Sequence, residues 1–410
     1  MVAVRRGLFY AFLTLFMLEV LKRSFTEAML VMTLPMLANS MAQPTIWGPL
    51  SDKIGKRKPF IVIGETIAGI FYILLSPYAW SLFTGQDILK VPSLYSYFLI
   101  VGLTILESIW SMSNVAWSAL LADLTTKDTR GIVVGQLYSV GAVGRIFGVF
   151  LGGLLYDYPT KAAGFPYLFY ISAIIMFGSA MIILVAIDEK TEVALRTRKE
   201  KKFVHVNFEN KKIFYVFLLA IALTTIGSAS IFRILNYYLR LALLATSLEM
   251  SIISNVSSIT QLFANPIIGR ISDKRGRVPV LEIGFSLSIL VPILYTIPRQ
   301  IIWLIPVSIL VGINRVILTG IAYSYIADIV PEVARGRYLG QYNMIRTLSF
   351  GVIPILTAGI LPDIWKKSLV SIGYTSSEAE ILIMTYIFYL ASFLALLGFM
   401  IFELHKRIKT

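Results

Sequence analysis

The sequence predicts an all-α polytopic membrane protein with twelve transmembrane helices in two pseudo-symmetric six-helix bundles. Three observations predict it: long apolar stretches recur along the whole chain, charge is scarce, and two loop motifs occur twice in the same order. The 410 residues are 57% hydrophobic and 15% charged, with a mean hydropathy of +0.77. A soluble chain carries roughly 25% charged residues, so the deficit identifies lipid as the solvent.

Stretches of about 20 apolar residues match a hydrocarbon core of about 30 Å. In the first half they place spans near 7–24, 28–50, 59–82, 94–121, 131–156 and 164–187. In the second they fall near 213–236, 247–270, 278–298, 300–326, 336–361 and 378–403. The first stretch follows Arg5 and Arg6 but has no small-residue cleavage site, so it is kept as helix one, shorter than the rest. The polar segment 189–212, with Lys190, Arg196, Arg198, Lys199, Lys201 and Lys202, reads as a cytoplasmic linker. It separates an N-terminal bundle, 1–188, from a C-terminal bundle, 213–410.

The net charge of +14 is concentrated in alternate loops, the positive-inside pattern, with both termini on the basic, cytoplasmic side. That distribution assigns the charge to topology and anionic lipid headgroups, and it argues against nucleic acid. There is no cysteine, and the two histidines, His205 and His405, fall in charged segments expected outside the membrane. No disulfide, metal centre or cofactor is therefore expected. The sequence has neither a G-x-x-x-x-G-K-[ST] phosphate loop nor an H-E-x-x-H pair, which excludes an ATP-driven pump and argues against an enzyme.

The repeat is explicit. Gly48-Pro-Leu-Ser-Asp52-Lys-Ile-Gly55-Lys-Arg57 follows helix two, and Gly269-Arg-Ile-Ser-Asp273-Lys-Arg-Gly276 follows helix eight. Later in each half, Asp123 precedes Arg130 and Asp328 precedes Arg335 at identical spacing. Gly55 and Gly276 suit tight turns at positive φ, and Gly48 and Gly269 are expected to let one helix end pack closely on another.

The G-x-x-x-D-[KR]-x-G-[KR] loop, duplicated, resembles the hallmark of the major facilitator superfamily over essentially the whole chain. Within it, Gln43-Pro44 before the first loop and the run 118–125 look most like the sucrose and glycoside–cation symporters. The resemblance implies alternating access by rocking of one half against the other. It also implies a cytoplasmic gate at Gly48, Asp52, Gly55, Arg57, Asp123, Arg130, Gly269, Asp273, Gly276, Asp328 and Arg335. There, ion pairs would hold the halves together in one state and break in the other. The plainer alternative is that these charges cap helices and fix topology.

Ionisable residues at mid-bilayer cost several kcal/mol unless they meet a partner or water, so each is a functional candidate. Glu107 lies 16 residues before Asp123, and Arg145 lies 15 after Arg130. At about 1.5 Å per residue both sit roughly 22–24 Å from the cytoplasmic surface, which makes a Glu107–Arg145 pair sensible. A buried structural pair without a transport role is the alternative. Glu107, Ser111, Asn114 and Ser118 form one polar stripe, with Trp110 and Trp117 alongside. In the second half Arg233, Arg315 and Arg346 lie in apolar runs, and Asn255 belongs to a polar stripe with Ser251 and Ser258. The resemblance places helices one, four, seven and ten around the cavity, which favours Glu107, Arg233 and Arg315 as lining residues. Glu65 lies on helix three, which the resemblance places toward lipid or the bundle exterior, and its role is left open. Gly144, Gly148 and Gly152 mark a packing face of helix five.

The expected function is uptake of a sugar or related polar solute coupled to H⁺ or Na⁺. The alternative is proton-coupled efflux of drugs or metabolites. A third reading, a transporter-shaped sensor, is disfavoured because the chain ends soon after helix twelve. The partners expected are a small-molecule substrate, a coupling ion and the bilayer of the cell membrane, with the protein acting as a monomer.

Overall fold

The computed structural model describes residues 1–124, 127–186, 211–331 and 335–409. The greater part of the expected linker, His205, and the side chains of Asp123, Arg130 and Arg335 lie outside the described residues. All regular secondary structure among the described residues is helical. Helix α1 covers 2–19, α2 covers 25–54, α3 is Lys58–Leu74, α4 Pro92–Leu124, α5 Lys127–Tyr156 and α6 Phe165–Ala186. In the second half α7 is Lys211–Ala242, α8 Ser247–Arg275, α9 Arg277–Leu294, α10 Ile301–Ile329, α11 covers 335–372 and α12 is Ser376–Lys409.

Eight of these are long and apolar enough to cross a membrane, and α3 with Pro77–Thr84, bent by 64°, brings the number to nine. The other three are α1, α2 and α8. They carry Arg5 and Arg6, Asn39 and Gln43, and Asn255 and Gln261. Several helices widen into single π-turns: Arg6–Tyr10 in α1, Gln43–Trp47 in α2, Ile317–Ile321 in α10 and Leu356–Ile360 in α11. Such turns break the i→i−4 ladder locally and concentrate at functional positions.

The contacts divide the chain into two units, Met1–Glu200 with Thr246–Ser251, and Lys201–Ala245 with Ile252–Thr410. Packing inside the two units repeats. In the first, α1 lies against α5 and α6, and α3 against α4 and α6; in the second, α7 lies against α11 and α12, and α9 against α10 and α12. The duplicated loops therefore accompany a duplicated helix arrangement.

The core of the first unit is aromatic. Phe16 stacks on Phe165 at 4.0 Å, and Phe9 meets Tyr72, Phe165 and Phe169 at 4.8–5.6 Å. Glycines bring α1 onto α5. A Cβ on Gly148 would lie 2.1 Å from the Val4 carbonyl oxygen, one on Gly152 2.7 Å from that of Leu8, and one on Gly7 2.4 Å from that of Arg145. The expected role of Gly48 and Gly269 is different. A Cβ on Gly48 meets only the Gln43 carbonyl of its own helix, inside the π-turn, and one on Gly269 meets nothing within 4 Å. Among the described residues neither meets a second helix.

His405 lies on α12 but is fully buried, away from the charged surroundings its sequence neighbours imply. Its Nδ1 is 2.9 Å from the Ile213 carbonyl oxygen, which can only accept, so Nδ1 donates there. Nε2 lies 2.6 Å from the Tyr325 hydroxyl, within hydrogen-bond distance. One imidazole thus ties α12 to α7 and α10.

Candidate functional site

Glu107 sits 15 residues into the 33-residue helix α4, close to its midpoint, and is nearly inaccessible at 7% exposure. Its carboxylate is enclosed. Arg5 Nη1 donates to Oε1 at 3.2 Å, Tyr10 Oη donates to the same oxygen at 2.7 Å, and Asn39 Nδ2 donates to Oε2 at 3.0 Å. Asn39 Nδ2 also reaches the Glu107 carbonyl at 3.1 Å, while Gln43 Nε2 fixes the Asn39 amide through its Oδ1 at 2.7 Å. The π-turn explains how α1 supplies two of these donors. Residues five apart lie about 140° apart around a regular α-helix, and the wider turn Arg6–Tyr10 brings Arg5 and Tyr10 to one carboxylate.

The cation expected beside Glu107 was Arg145; the structure supplies Arg5 instead. Arg145 stands on an exposed part of α5, and its backbone carbonyl is what Gly7 packs against. Arg5 is completely buried, its Nη1 also donates to the Tyr72 hydroxyl at 2.9 Å, and its guanidinium lies 4.5 Å from the centre of the Trp110 ring. Burying the pair among aromatic rings strengthens its attraction and makes either partner costly alone.

Glu65, on a helix expected to be peripheral, points inward from α3, is 2% exposed, and its Oε1 accepts from Trp110 Nε1 at 3.0 Å and Ser113 Oγ at 2.6 Å. Trp110 therefore stands between the two carboxylates, its face toward Arg5 and its N–H toward Glu65. Of the polar stripe on α4, Ser111 and Ser118 turn their hydroxyls back onto their own helix. Asn114 is half-buried and Trp117 is exposed.

In the second unit Arg233 is buried rather than lining open space. Its Nη2 donates to the carbonyls of Phe350 at 3.2 Å and Gly351 at 2.9 Å. Those carbonyls lose their helical partners for a covalent reason: Pro354 has no N–H to return to Phe350, and the Ile355 amide bonds Val352 instead. Arg233 seals the break in α11. Replacing it with Met should expose two unpaired carbonyls and lower stability by about 1–3 kcal/mol. Thermal unfolding of the purified protein measures this, and an unchanged midpoint would refute the sealing role.

Arg315 is half-buried two residues before the π-turn of α10, with its guanidinium 5.3 Å from the Phe232 ring centre. Phe232 in turn lies 5.9 Å from Phe350. Arg346 on α11 is half-buried, and Asn255 on α8 is buried. Arg240, at the end of α7, is also buried, and its Nη1 donates to the Ala245 carbonyl at 2.7 Å.

The motif loops carry matching constructions. Gly55 has φ +72° and Gly276 φ +89°, the left-handed region where a side chain is disfavoured. In the first unit Arg57 donates to Ser51 Oγ at 2.6 Å and pairs with Asp52 at 2.9 Å. In the second, Arg277 donates to Ser272 Oγ at 3.1 Å and pairs with Asp273 at 2.6 Å and Asp328 at 3.3 Å. Each arginine thus ties down the Ser-Asp pair at the end of its helix, and Arg277 adds the start of the second motif. Sequence reasoning missed Arg277 because it lies one residue beyond Gly276, whereas Arg57 lies two beyond Gly55. The signal was the Ser-Asp step shared by both loops.

Two repeated six-helix units with buried charges at mid-membrane define a polytopic carrier. The profile of the Major Facilitator Superfamily matches residues 1–241 and again 217–408. The chain belongs to that superfamily and is a secondary transporter, not an enzyme. It is 23% identical over 338 residues to the multi-drug resistance efflux pump PmrA homolog of Lactococcus lactis subsp. lactis (strain IL1403), covering 81% of this chain and 77% of that protein. It is 24% identical over 272 residues to the multidrug resistance protein MdtG of Escherichia coli (strain 55989 / EAEC), a match spanning 65% of this chain and 61% of MdtG. Among solved structures, a bacterial homolog of the human lysosomal transporter Spinster, inward-facing and occupied, superposes with a TM-score of 0.75 at 13% identity, covering 99% and 94% of the two chains. The nucleoside transporter NupG gives 0.70 at 13% identity, covering 98% and 97%.

Proposed function

We propose that this protein is a proton-coupled exporter of amphipathic organic solutes, with Glu107 as the proton-carrying group. The observation that carries the reading is the enclosure of one mid-membrane carboxylate by Arg5, Tyr10 and Asn39. Protonating Glu107 removes the charge that holds Arg5 and frees α1 and α2 to shift against α4. Proton binding and helix movement are then one event, which is what coupling requires. Efflux rather than uptake is supported by likeness to relatives named for multidrug resistance. Trp117 and Asn114 on α4 offer an indole face and an amide, and Arg315 and Arg346 favour solutes that are neutral or anionic over lipophilic cations.

A second reading, cation-coupled uptake of a sugar or related polar solute, rests on that same Trp117–Asn114 pair, because an indole beside an amide also suits a hydroxylated ring. In both readings the motif loops act as the cytoplasmic gate, with the Arg57 and Arg277 clusters releasing as the access side changes. The protein acts as a monomer in the cell membrane with both termini on the cytoplasmic side, and the polar segment 189–212 links the two bundles.

The test is transport in proteoliposomes under an imposed proton gradient. An anionic dye, a lipophilic cation and a labelled disaccharide are each supplied, with Na⁺ present or absent. The expected result is gradient-driven movement of the anionic dye against the proton flux, independent of Na⁺, and its loss of pH dependence in Glu107→Gln. Proton-driven accumulation of the disaccharide would establish the second reading, and an unchanged response in Glu107→Gln would sink the role of Glu107.

A further inference from the structure

Three buried polar atoms gather around the Trp110 indole without a hydrogen-bond partner among the described residues: Nε and Nη2 of Arg5, and Oε2 of Glu65. Arg5 belongs to α1, Glu65 to α3 and Trp110 to α4, so the group joins three helices of the first unit. Both donors that reach Glu65, from Trp110 and Ser113, converge on Oε1, which leaves Oε2 with nothing. A carboxylate with one bare oxygen, buried in an apolar interior, carries a penalty of several kcal/mol. The neutral acid avoids most of it, because the charge is gone and the Oε1 carbonyl still accepts both bonds.

We propose that Glu65 is a second proton-binding site of the first unit, neutral while Glu107 holds Arg5 and the alternative partner of Arg5 when Glu107 is protonated. The proposal rests on the coupling role assigned to Glu107 and adds a site to it. The exchange balances. Glu107 takes one proton from water, Glu65 releases one to water, and the guanidinium passes from one carboxylate to the other with no change in net charge. Arg5 already has the means: its two unpartnered nitrogens lie against the ring whose N–H binds Glu65.

The surroundings of Glu65 place Arg5 as the nearer of two guanidiniums at the Trp110 ring, at 4.5 Å from its centre against 5.3 Å for Arg6. On the α1 side the Arg5 guanidinium and the Met1 amino group act on it, with the Arg6 guanidinium against that same ring. From α4 come Trp110 and Ser113, with Glu107 beyond Arg5. Helix α6 carries no acid or base other than the phenols of Tyr167 and Tyr170, and Pro77–Thr84 offers only Tyr78. Tyr72, on α3 itself, is occupied with Arg5.

Infrared spectroscopy of the full-length protein in lipid tests this without transport. The carbonyl stretch of a protonated, water-excluded carboxylic acid is recorded at neutral pH for wild type, Glu107→Gln, Glu65→Gln and Glu65→Asp. The band is expected in wild type, lost in Glu107→Gln because Arg5 then passes to Glu65, lost in Glu65→Gln and shifted in Glu65→Asp. Its persistence at full strength in Glu107→Gln would refute the exchange. Its absence from wild type, or its survival unshifted in both Glu65 variants, would overturn the proposal. Should Glu65→Gln not fold, the Glu65→Asp shift decides alone. A band that behaves as expected in a protein whose transport ignores the proton gradient would leave the Glu65 site standing and remove the coupling reading.

Discussion

Arg5→Met, with Glu107 left in place, is expected to lower the stability of the detergent-solubilised protein by about 3–5 kcal/mol, the usual cost of stranding one member of a buried pair. Glu107 would keep Tyr10 and Asn39 as donors but lose its only described counter-charge, at a depth where water cannot replace it. Tyr72 would lose its donor, and the face of Trp110 the nearer of its two guanidiniums, at the same time. The double variant Arg5→Met/Glu107→Leu should recover part of that loss, since no buried charge remains, though Tyr10 and Asn39 are then left without their acceptor. Denaturant unfolding of the four proteins of the cycle gives the interaction directly. A single variant within about 1 kcal/mol of wild type would mean that the pair is solvated or dispensable.

That the carboxylate was legible in the sequence and its partner was not has a physical basis. A lone Glu in an apolar run such as 99–110 stands out because lipid penalises it. Arg5 and Arg6 stand before an apolar run, where positive charges ordinarily mark a membrane edge, so they read as flanks. Depth arithmetic from the cytoplasmic loops assumes unbroken helices and finds Arg145. It cannot see a π-turn, which is what brings Arg5 and Tyr10 together on Glu107. Arg233 was misread for a related reason. Its residue type and depth were right for a cavity, but Pro354, over a hundred residues away, created the unpaired carbonyls that claim it. Glu65 shows a third limit: helix order says which helix is peripheral, while the rotation of a helix about its own axis decides where one side chain points. The loops fared better. Positive φ at Gly55 and Gly276 follows from local chemistry alone, and so do the Ser-Asp steps beside them.

Gly148→Ala should be among the most damaging small substitutions in the chain, although alanine is the better helix former by about 1 kcal/mol. Its Cβ would stand 2.1 Å from the Val4 carbonyl oxygen and 3.0 Å from Val4 Cα, so α1 or α5 must move as a backbone rather than yield a rotamer. Overpacking of this kind costs about 1–3 kcal/mol. The displacement would also reach the site, because Val4 immediately precedes Arg5, whose 3.2 Å bond to Glu107 tolerates little shift. Gly141→Ala, on the same helix, meets only Ala3 at 3.9 Å and serves as the matched control, expected to be neutral or slightly stabilising. Thermal unfolding and gradient-driven transport should therefore fall together in Gly148→Ala and stay unchanged in Gly141→Ala. Equal behaviour of the two variants would show that α1 is not held by the glycine face. Loss of stability with transport intact would show that the Arg5–Glu107 geometry does not depend on how α1 is seated.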